Sequence, residues 1–255
     1  MARLRTVRPG LKILTKDGPA AEGANDCWWG TARVLIKPNQ TDHEWLVAIE
    51  YVTARLAAAI GIPVPAGELA ELPPDGQVVW VSAVVEHGGE QFAPADAQVI
   101  AAQAPDLAAG VFVFDVWILN EDRPDHNLVY HQEVGLWAID HEKALAGPNM
   151  GRDGELASIQ ESPLVADAAR GVQEHALRGC QLEDQRLRSW GDRVQHVPRS
   201  AIERLVTAGR VAGLYGKKQA NEIADFLLHR QQNIHRLVRL SLPETTDDHG
   251  EGAGQ

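Results

Sequence analysis

Asp122, Arg123, Asn127 and Asp140 fall within one stretch, FDVWILNEDRPDHNLVYHQEVGLWAIDHEKAL, which runs from Phe114 to Leu145. The amide oxygen of Asn127 and the carboxylate of Asp140 are hard oxygen donors, the kind that Mg2+ takes together with water and phosphate. A second carboxylate in the same mouth, Asp122, is suited to orient or deprotonate an attacking hydroxyl. Arg123 is suited to clamp the loop or a phosphate. The plainer reading is an exposed Asp-Arg turn and a solvated strand end. What separates the two is whether the chain gathers these side chains.

A hairpin would gather them. LVYH and LWAI flank QEVG, a four-residue connection with Gly135 at its end. A turn centred on Glu133–Val134 pairs Val129 with Ala138, Leu128 with Ile139 and Tyr130 with Trp137. That register sets Asn127 directly across from Asp140, with Cβ atoms about 5 Å apart. Asp122 lies five residues before Asn127 and points into the same mouth.

Lys37 and Glu50 supply what the loop lacks, a cation for phosphates and an acid to hold it. Lys37 ends the β-rich run ARVLIKP (Ala32–Pro38), which Pro38 stops. Thr41, with Glu44 three residues on, has capping-box spacing and predicts a helix start. Trp45, Ile49, Val52 and Leu56 then form one apolar stripe, with Glu50 beside it and Gly61 as the stop. A strand lysine held by a helix glutamate is the phosphate-gripping half of a kinase-like ATP site.

The elements that must position these residues divide into three parts. Residues 1–87 read as strands around one helix, with GQVVWVSAVVE (Gly76–Glu86) the strongest strand after the turn signal PPDG. Residues 88–242 read as mostly helical after the connector EHGGEQFAP. Leu107, Val111, Phe114 and Ile118 form a stripe, a looped segment covers 141–170, and helices are expected over 199–213 and 218–240. Residues 243–255 form an acidic tail too polar to pack. The expected fold class is α+β: a β-rich amino-terminal lobe with one main helix, a hinge, and a helical carboxy-terminal lobe.

Taken together, VLIKPNQ…EWLVAIEYVTARLAAAIGIPVP and FDVWILNEDRPDHNLVY…LWAIDHEKAL resemble the HipA-like kinases, relatives of the phosphatidylinositol kinases within the protein-kinase-like fold. The resemblance covers roughly 30–145. It implies ATP and Mg2+ as cofactors. It implies that Lys37 contacts phosphates, Glu50 orients it, Asp122 is the catalytic acid/base with Arg123 beside it, and Asn127 and Asp140 hold Mg2+. Backbone groups near Val85, Glu86 and His87 would meet adenine. The acceptor it implies is a hydroxyl, most readily a protein Ser or Thr. A lipid or small-molecule kinase and a nucleotide-binding pseudokinase serving as an interaction module are the rival expectations.

The sequence also departs from that pattern. Many relatives carry His two residues after the catalytic Asp; here that place is Pro124, and the nearest histidine is His126. The phosphate loop is expected in TKDGPAAEGANDCWWG (Thr15–Gly30), which has no tight Gly-x-Gly-x-x-Gly. In the best-known HipA proteins a loop serine is autophosphorylated and switches the enzyme off, yet no serine precedes Ser82 here.

Composition sets the remaining bounds. Apolar residues make up 44% and charged residues 23% of 255, the profile of a globular protein able to bury a core. The net charge of −11 tilts against a nucleic-acid footprint or an anionic-membrane surface, both of which need clustered Lys and Arg. No run of eighteen apolar residues and no secretory signal are present, and Cys27 and Cys180 suggest no framework of bridges, so a cytoplasmic protein is expected. His126, His131 and His141 lack the spacing of a zinc set, and Trp28 and Trp29 are expected to pack near the phosphate loop.

Overall fold

The computed structural model describes residues 12–20, 27–87, 90–91, 94–132, 135–169 and 172–243. The acidic tail from 244 on, the first eleven residues, 21–26 of the expected phosphate loop, residues 88, 89, 92 and 93 of the Gly-rich connector and the predicted turn centre at Glu133–Val134 lie outside the described residues.

Four antiparallel strands form the first layer, in the order β1 (Lys12–Pro19), β2 (Trp28–Pro38), β4 (Gln77–Ala83), β3 (Gly67–Leu72). Alternation along β2 sends Leu35 and Lys37 to the same face, opposite Ser82 and Trp80 of β4. Helix α1 (Leu46–Ile60) covers that face through Ile49, Val52 and Leu56, all essentially buried. Gly61, at φ 84°, ends it in the left-handed region that glycine enters without penalty. The predicted cap does not form, because α1 begins after Thr41 and Glu44. Asn39 reaches forward instead, and its Oδ1 accepts from the Val47 backbone N–H at 2.9 Å.

The β1–β2 register places the described flanks of the expected phosphate loop. Lys12 pairs with Arg33 and Pro19 with Trp28, so the closed end of this hairpin adjoins Trp28. Nine residue steps of extended chain separate Trp28 from Lys37, about 30 Å at strand rise. Ala20 and Cys27, joined by a backbone hydrogen bond of 2.9 Å, therefore lie toward the Trp28 end of β2 and away from Lys37.

After the short ribbon of β5 (Glu86–His87) and β6 (Glu90–Gln91), the chain turns helical. Helix α2 (Ala97–Gln103) is capped by Asp96, which accepts from the Gln98 and Val99 backbone N–H groups. Helix α3 (Pro105–Ile118) is buried on every side from Ala108 onward. It packs against α5 (Asp184–Gln195), and Trp117 Nε1 donates to the Leu227 carbonyl at 3.0 Å. The strands β7 (Leu128–His131) and β8 (Gly135–Ala138) follow α3. Beyond them are the single-turn α4 (Glu155–Ile159), then α5, α6 (Arg199–Val211), α7 (Lys217–Gln232) and α8 (Ile234–Ser241).

The helix expected over 218–240 is two helices. Asn233 interrupts it, its side chain donating to the His229 carbonyl, and the change of direction keeps Ile234 and Leu237 fully buried. The molecule is thus an α+β protein, an antiparallel sheet with one main helix followed by a helical part.

Candidate active site

A cleft of about 250 Å³ opens between the sheet and the β7–β8 hairpin. Leu35, Lys37 and Trp80 line it from the sheet, Glu50 and Ala54 from α1, and Val129, Ile139 and Asp140 from the hairpin. At its centre the Lys37 ammonium is held between two acids. Nζ donates to Glu50 Oε1 at 2.5 Å and to Asp140 Oδ1 at 3.0 Å. Burial works against the charge on Lys37, but Glu50 and Asp140 outweigh it and raise its pKa. Burial likewise works against the Asp140 carboxylate, and the adjacent ammonium holds that pKa below its ordinary value. Three elements distant in sequence thus converge on one partly buried charge cluster.

The hairpin reaches this cluster in a register one residue away from the expected one. Leu128 pairs with Ala138, Val129 with Trp137, Tyr130 with Leu136 and His131 with Gly135. The connection is three residues long, and Gly135, at φ 100°, belongs to the strand instead of the turn. Burial explains the choice: Leu128, Leu136 and Ala138 are all essentially inaccessible, and this pairing puts them on one face. Asn127 consequently faces Ile139, whose N–H donates to the Asn127 carbonyl at 3.1 Å. Asp140 is one residue further on and takes a left-handed backbone, φ 58°, at the point where its carboxylate meets Lys37. Leu119, Leu145 and Ala146 also have positive φ, so among the described residues the non-glycine positions with this conformation flank the cleft-forming loops.

Arg123 clamps the loop, the first of the two roles expected for it, and does not line the cleft. It is 1% exposed. Nε donates to Asp115 Oδ2 at 2.8 Å and Nη2 to Asp115 Oδ1 at 3.0 Å. Nη1 donates to the carbonyls of Asn127 and Ile139, one on each strand of the hairpin. Asp115 also accepts from Asn120 Nδ2 and from His175 Nε2, each at 3.0 Å. Because His175 Nδ1 accepts from the Leu177 N–H, the ring carries its proton on Nε2 and donates it to Asp115. Burial alone would raise the Asp115 pKa; Arg123 and these donors hold it far below the carboxylate range. Asp122 is half-buried beside this framework, and its carbonyl accepts from Asn127 Nδ2 at 3.5 Å. That contact orients the Asn127 amide with its donor side toward the Asp122 backbone.

The segment after Asp140 is tied to α1. The His141 N–H donates to Glu50 Oε1 at 3.3 Å, His43 Nε2 meets the Glu142 carbonyl at 2.7 Å, and the Trp45 ring fills the space above Gly151. The His141 ring lies against Phe114, 2% exposed, and burial lowers its pKa to about 3. Val85 lines the opposite end of the cleft, where β4 gives way to the ribbon that begins with Glu86 and His87.

The structure thus brings Lys37, Glu50 and Asp140 into direct contact and places Asn127 and Asp122 on the loop leading to them. The residues that sequence reasoning missed are Asp115, Asn120 and His175. An acid inside the apolar run GVFVFDVWI was the one legible signal, since a buried carboxylate requires a partner. Nothing near His175 in sequence announces that it is that partner's neighbour.

Comparisons with known proteins bear on the fold and the family. The crystal structure of the Helicobacter pylori proinflammatory kinase CtkA superposes with a TM-score of 0.55 at 12% identity, covering 91% of this chain and 95% of that one. A Shewanella oneidensis complex of HipA, HipB and operator DNA matches with a TM-score of 0.36 at 13% identity. That match covers 94% of this chain and 60% of the other. A comparison with curated proteins found no match. The model of the HipA-like kinases matches residues 32–199, well over half of the chain, and the protein belongs to that family.

Proposed function

We propose that the protein is an ATP- and Mg2+-dependent phosphotransferase that moves the γ-phosphoryl group to a hydroxyl, most readily a protein Ser or Thr. The observation that carries the reading is the Glu50–Lys37–Asp140 cluster in the cleft between sheet and hairpin. Lys37 is the group for the nucleotide phosphates, and Glu50 fixes its direction. Asp122 accepts the proton of the acceptor hydroxyl. Arg123 holds both strands of the hairpin, so that the loop from Asp122 to Asn127 keeps its shape.

The donor set suits Mg2+. Asn127 and Asp140 offer an amide oxygen and a carboxylate, and only Oδ1 of Asp140 is engaged by Lys37. No group of three or more His, Cys, Asp or Glu fit to hold a metal occurs among the described residues. Two protein oxygens completed by phosphate and water are what Mg2+ takes at such sites, in preference to an all-protein cage. Bound there, the cation would neutralise charge on the phosphates. The rest of catalysis is positioning by this framework, the larger part of what phosphoryl transfer requires.

Transfer of label from ATP in a lysate, wild type against Asp122→Ala, tests the reading. Label on protein that disappears with Asp122→Ala supports it. Nucleotide binding without transfer to any offered hydroxyl would instead make the protein a nucleotide-responsive binding module, and label in lipid or small alcohols would move the acceptor class.

A further inference from the structure

The last turn of α3 is buried on every side, so the carbonyls that a helix end leaves without helical partners need donors from the protein. Each of the four is met. The Asp115 carbonyl accepts from the Asn120 N–H at 2.9 Å, and the Ile118 carbonyl from the Leu145 N–H at 3.0 Å. The Val116 and Trp117 carbonyls accept from one side chain, Arg230 of α7, whose Nε lies 3.1 Å from the first and 3.0 Å from the second. Arg230 Nη2 donates to the Val116 carbonyl as well. Its remaining nitrogen, Nη1, donates to the carbonyls of Gln160 and Ser162 at 2.9 Å each, further along the segment that follows Asp140.

Arg230 is 0% exposed, and a cation so deep is costly unless its surroundings favour the charge. Two features do. The guanidinium sits at the C-terminal end of α3, where the peptide dipoles attract positive charge. Burial pushes its pKa down to about 9, and Glu121, the residue before Asp122, is the charge that opposes this. What the contacts hold is a turn that leucine does not take freely. Leu119 closes α3 at φ 49° and ψ 61°, in the left-handed region, and its N–H shares the Val116 carbonyl with Arg230 at 3.3 Å. Such a turn persists only where its surroundings over-determine it. Asn120, Glu121 and Asp122 follow directly, so this turn sets the course by which Asp122 arrives at the cleft.

We infer that Arg230 is a positioning residue for phosphoryl transfer: by holding the left-handed exit of α3 it directs the loop that carries Asp122, without lining the cleft itself. The inference rests on the kinase reading given above. Two variants alter the contact by different routes. Arg230→Lys keeps the charge and gives up the planar fork. Arg230→Gln gives up the charge and keeps an amide that donates twice. Neither reproduces the set of donors that now meets the carbonyls of Val116, Trp117, Gln160 and Ser162.

The test measures kcat and KM for transfer from ATP, together with the melting shift given by Mg2+-ATP, each assay set equally far below the melting temperature of its variant. In Arg230→Lys and Arg230→Gln kcat should fall about 10- to 100-fold, the effect of slightly misplacing a reacting group. KM for ATP should stay within about 2-fold of wild type, because the nucleotide contacts are untouched. Val206→Ala, which opens a cavity in α6 away from the loop, controls for lost stability alone and should keep the wild-type kcat. Wild-type kcat in either arginine variant, or an equal fall in Val206→Ala, would leave Arg230 a purely structural group and overturn the inference with the kinase reading intact. Failure of both arginine variants to fold, where Val206→Ala folds, would assign the guanidinium to the core and overturn it likewise. No transfer from ATP by the wild type would overturn the kinase reading and the inference together.

Discussion

Arg123 and Asp115 face each other fork to fork in the interior, with Nε at 2.8 Å from Oδ2, Nη2 at 3.0 Å from Oδ1, and both side chains fully buried. A bidentate pair fixes direction as well as distance. Here the direction aims Nη1 at the two hairpin carbonyls that set the spacing of Asn127 and Ile139. Removing one member leaves the other charged and dry. Asp115→Ala is therefore expected to cost about 3–5 kcal/mol, measured by urea unfolding. Arg123→Lys keeps the charge and loses the fork, so it should be destabilising as well and should lower phosphate transfer without a matching rise in KM for ATP. A loss below about 0.5 kcal/mol for Asp115→Ala would mean that the pair does not hold the loop.

The same carboxylate gives a pH dependence with a definite sign. In the folded protein Asp115 stays ionised well below the range in which an unfolded aspartate, with pKa about 3.9, takes up its proton. Between those two points the unfolded chain binds more protons, so stability falls as pH drops through this window and is fully present above it. Unfolding free energy measured from pH 6 downward should decline steeply below about pH 4 in wild type. Asp115→Asn should be less stable at pH 6 and show a shallower decline. Parallel curves would assign the acid sensitivity to other groups.

The Lys37 cluster predicts a division of labour between its two acids. Mg2+-ATP should raise the melting temperature, because a ligand that binds only the folded state stabilises it by mass action. Asp140→Ala should remove the Mg2+-dependent part of that shift and leave binding of metal-free ATP. Glu50→Gln keeps the size of the side chain but loses the charge that directs Nζ, so transfer should fall by more than nucleotide binding does. Calorimetric titration with and without Mg2+ separates the two. Equal loss of both kinds of binding in Asp140→Ala would argue against a metal-specific role.

Much of this site is legible in the sequence, for reasons that lie in chain-local physics. The α1 stripe, the Gly61 stop and the strand ending at Lys37 follow from periodicity and backbone preference, and each is present. The hairpin was legible too, but its register was not. A four-residue and a three-residue connection differ only in whether Gly135 turns or pairs, and burial of Leu136 and Ala138 settles that in three dimensions. The start of α1 differs from the expectation because the helix begins at Leu46, beyond Thr41 and Glu44, and the side chain that meets its first turn, Asn39, reaches from outside the capping-box spacing. His175 was illegible altogether, since its partnership with Asp115 spans sixty residues.

Helix α3 offers a sharper test, because two opposing effects of one substitution differ in size. Gly110 lies in the helix interior, where alanine would ordinarily gain about 1 kcal/mol from helix propensity. A Cβ built there, however, would lie 2.6 Å from the Trp190 ring of α5, closer than real Cβ atoms come. Trp190 is 1% exposed and has no room to retreat, so the contact must be relieved by moving one helix from the other. Overpacking of this kind costs about 1–3 kcal/mol, enough to cancel the propensity gain and reverse its sign. Gly110→Ala should therefore destabilise the protein. Because α3 carries Asp115 and leads into the Asp122–Asn127 loop, it should also reduce phosphate transfer. Trp190→Phe, which shortens the opposing ring, should recover part of both losses in the double variant, measured against each single change. Independent, additive effects would show that the two helices do not press on each other at this point.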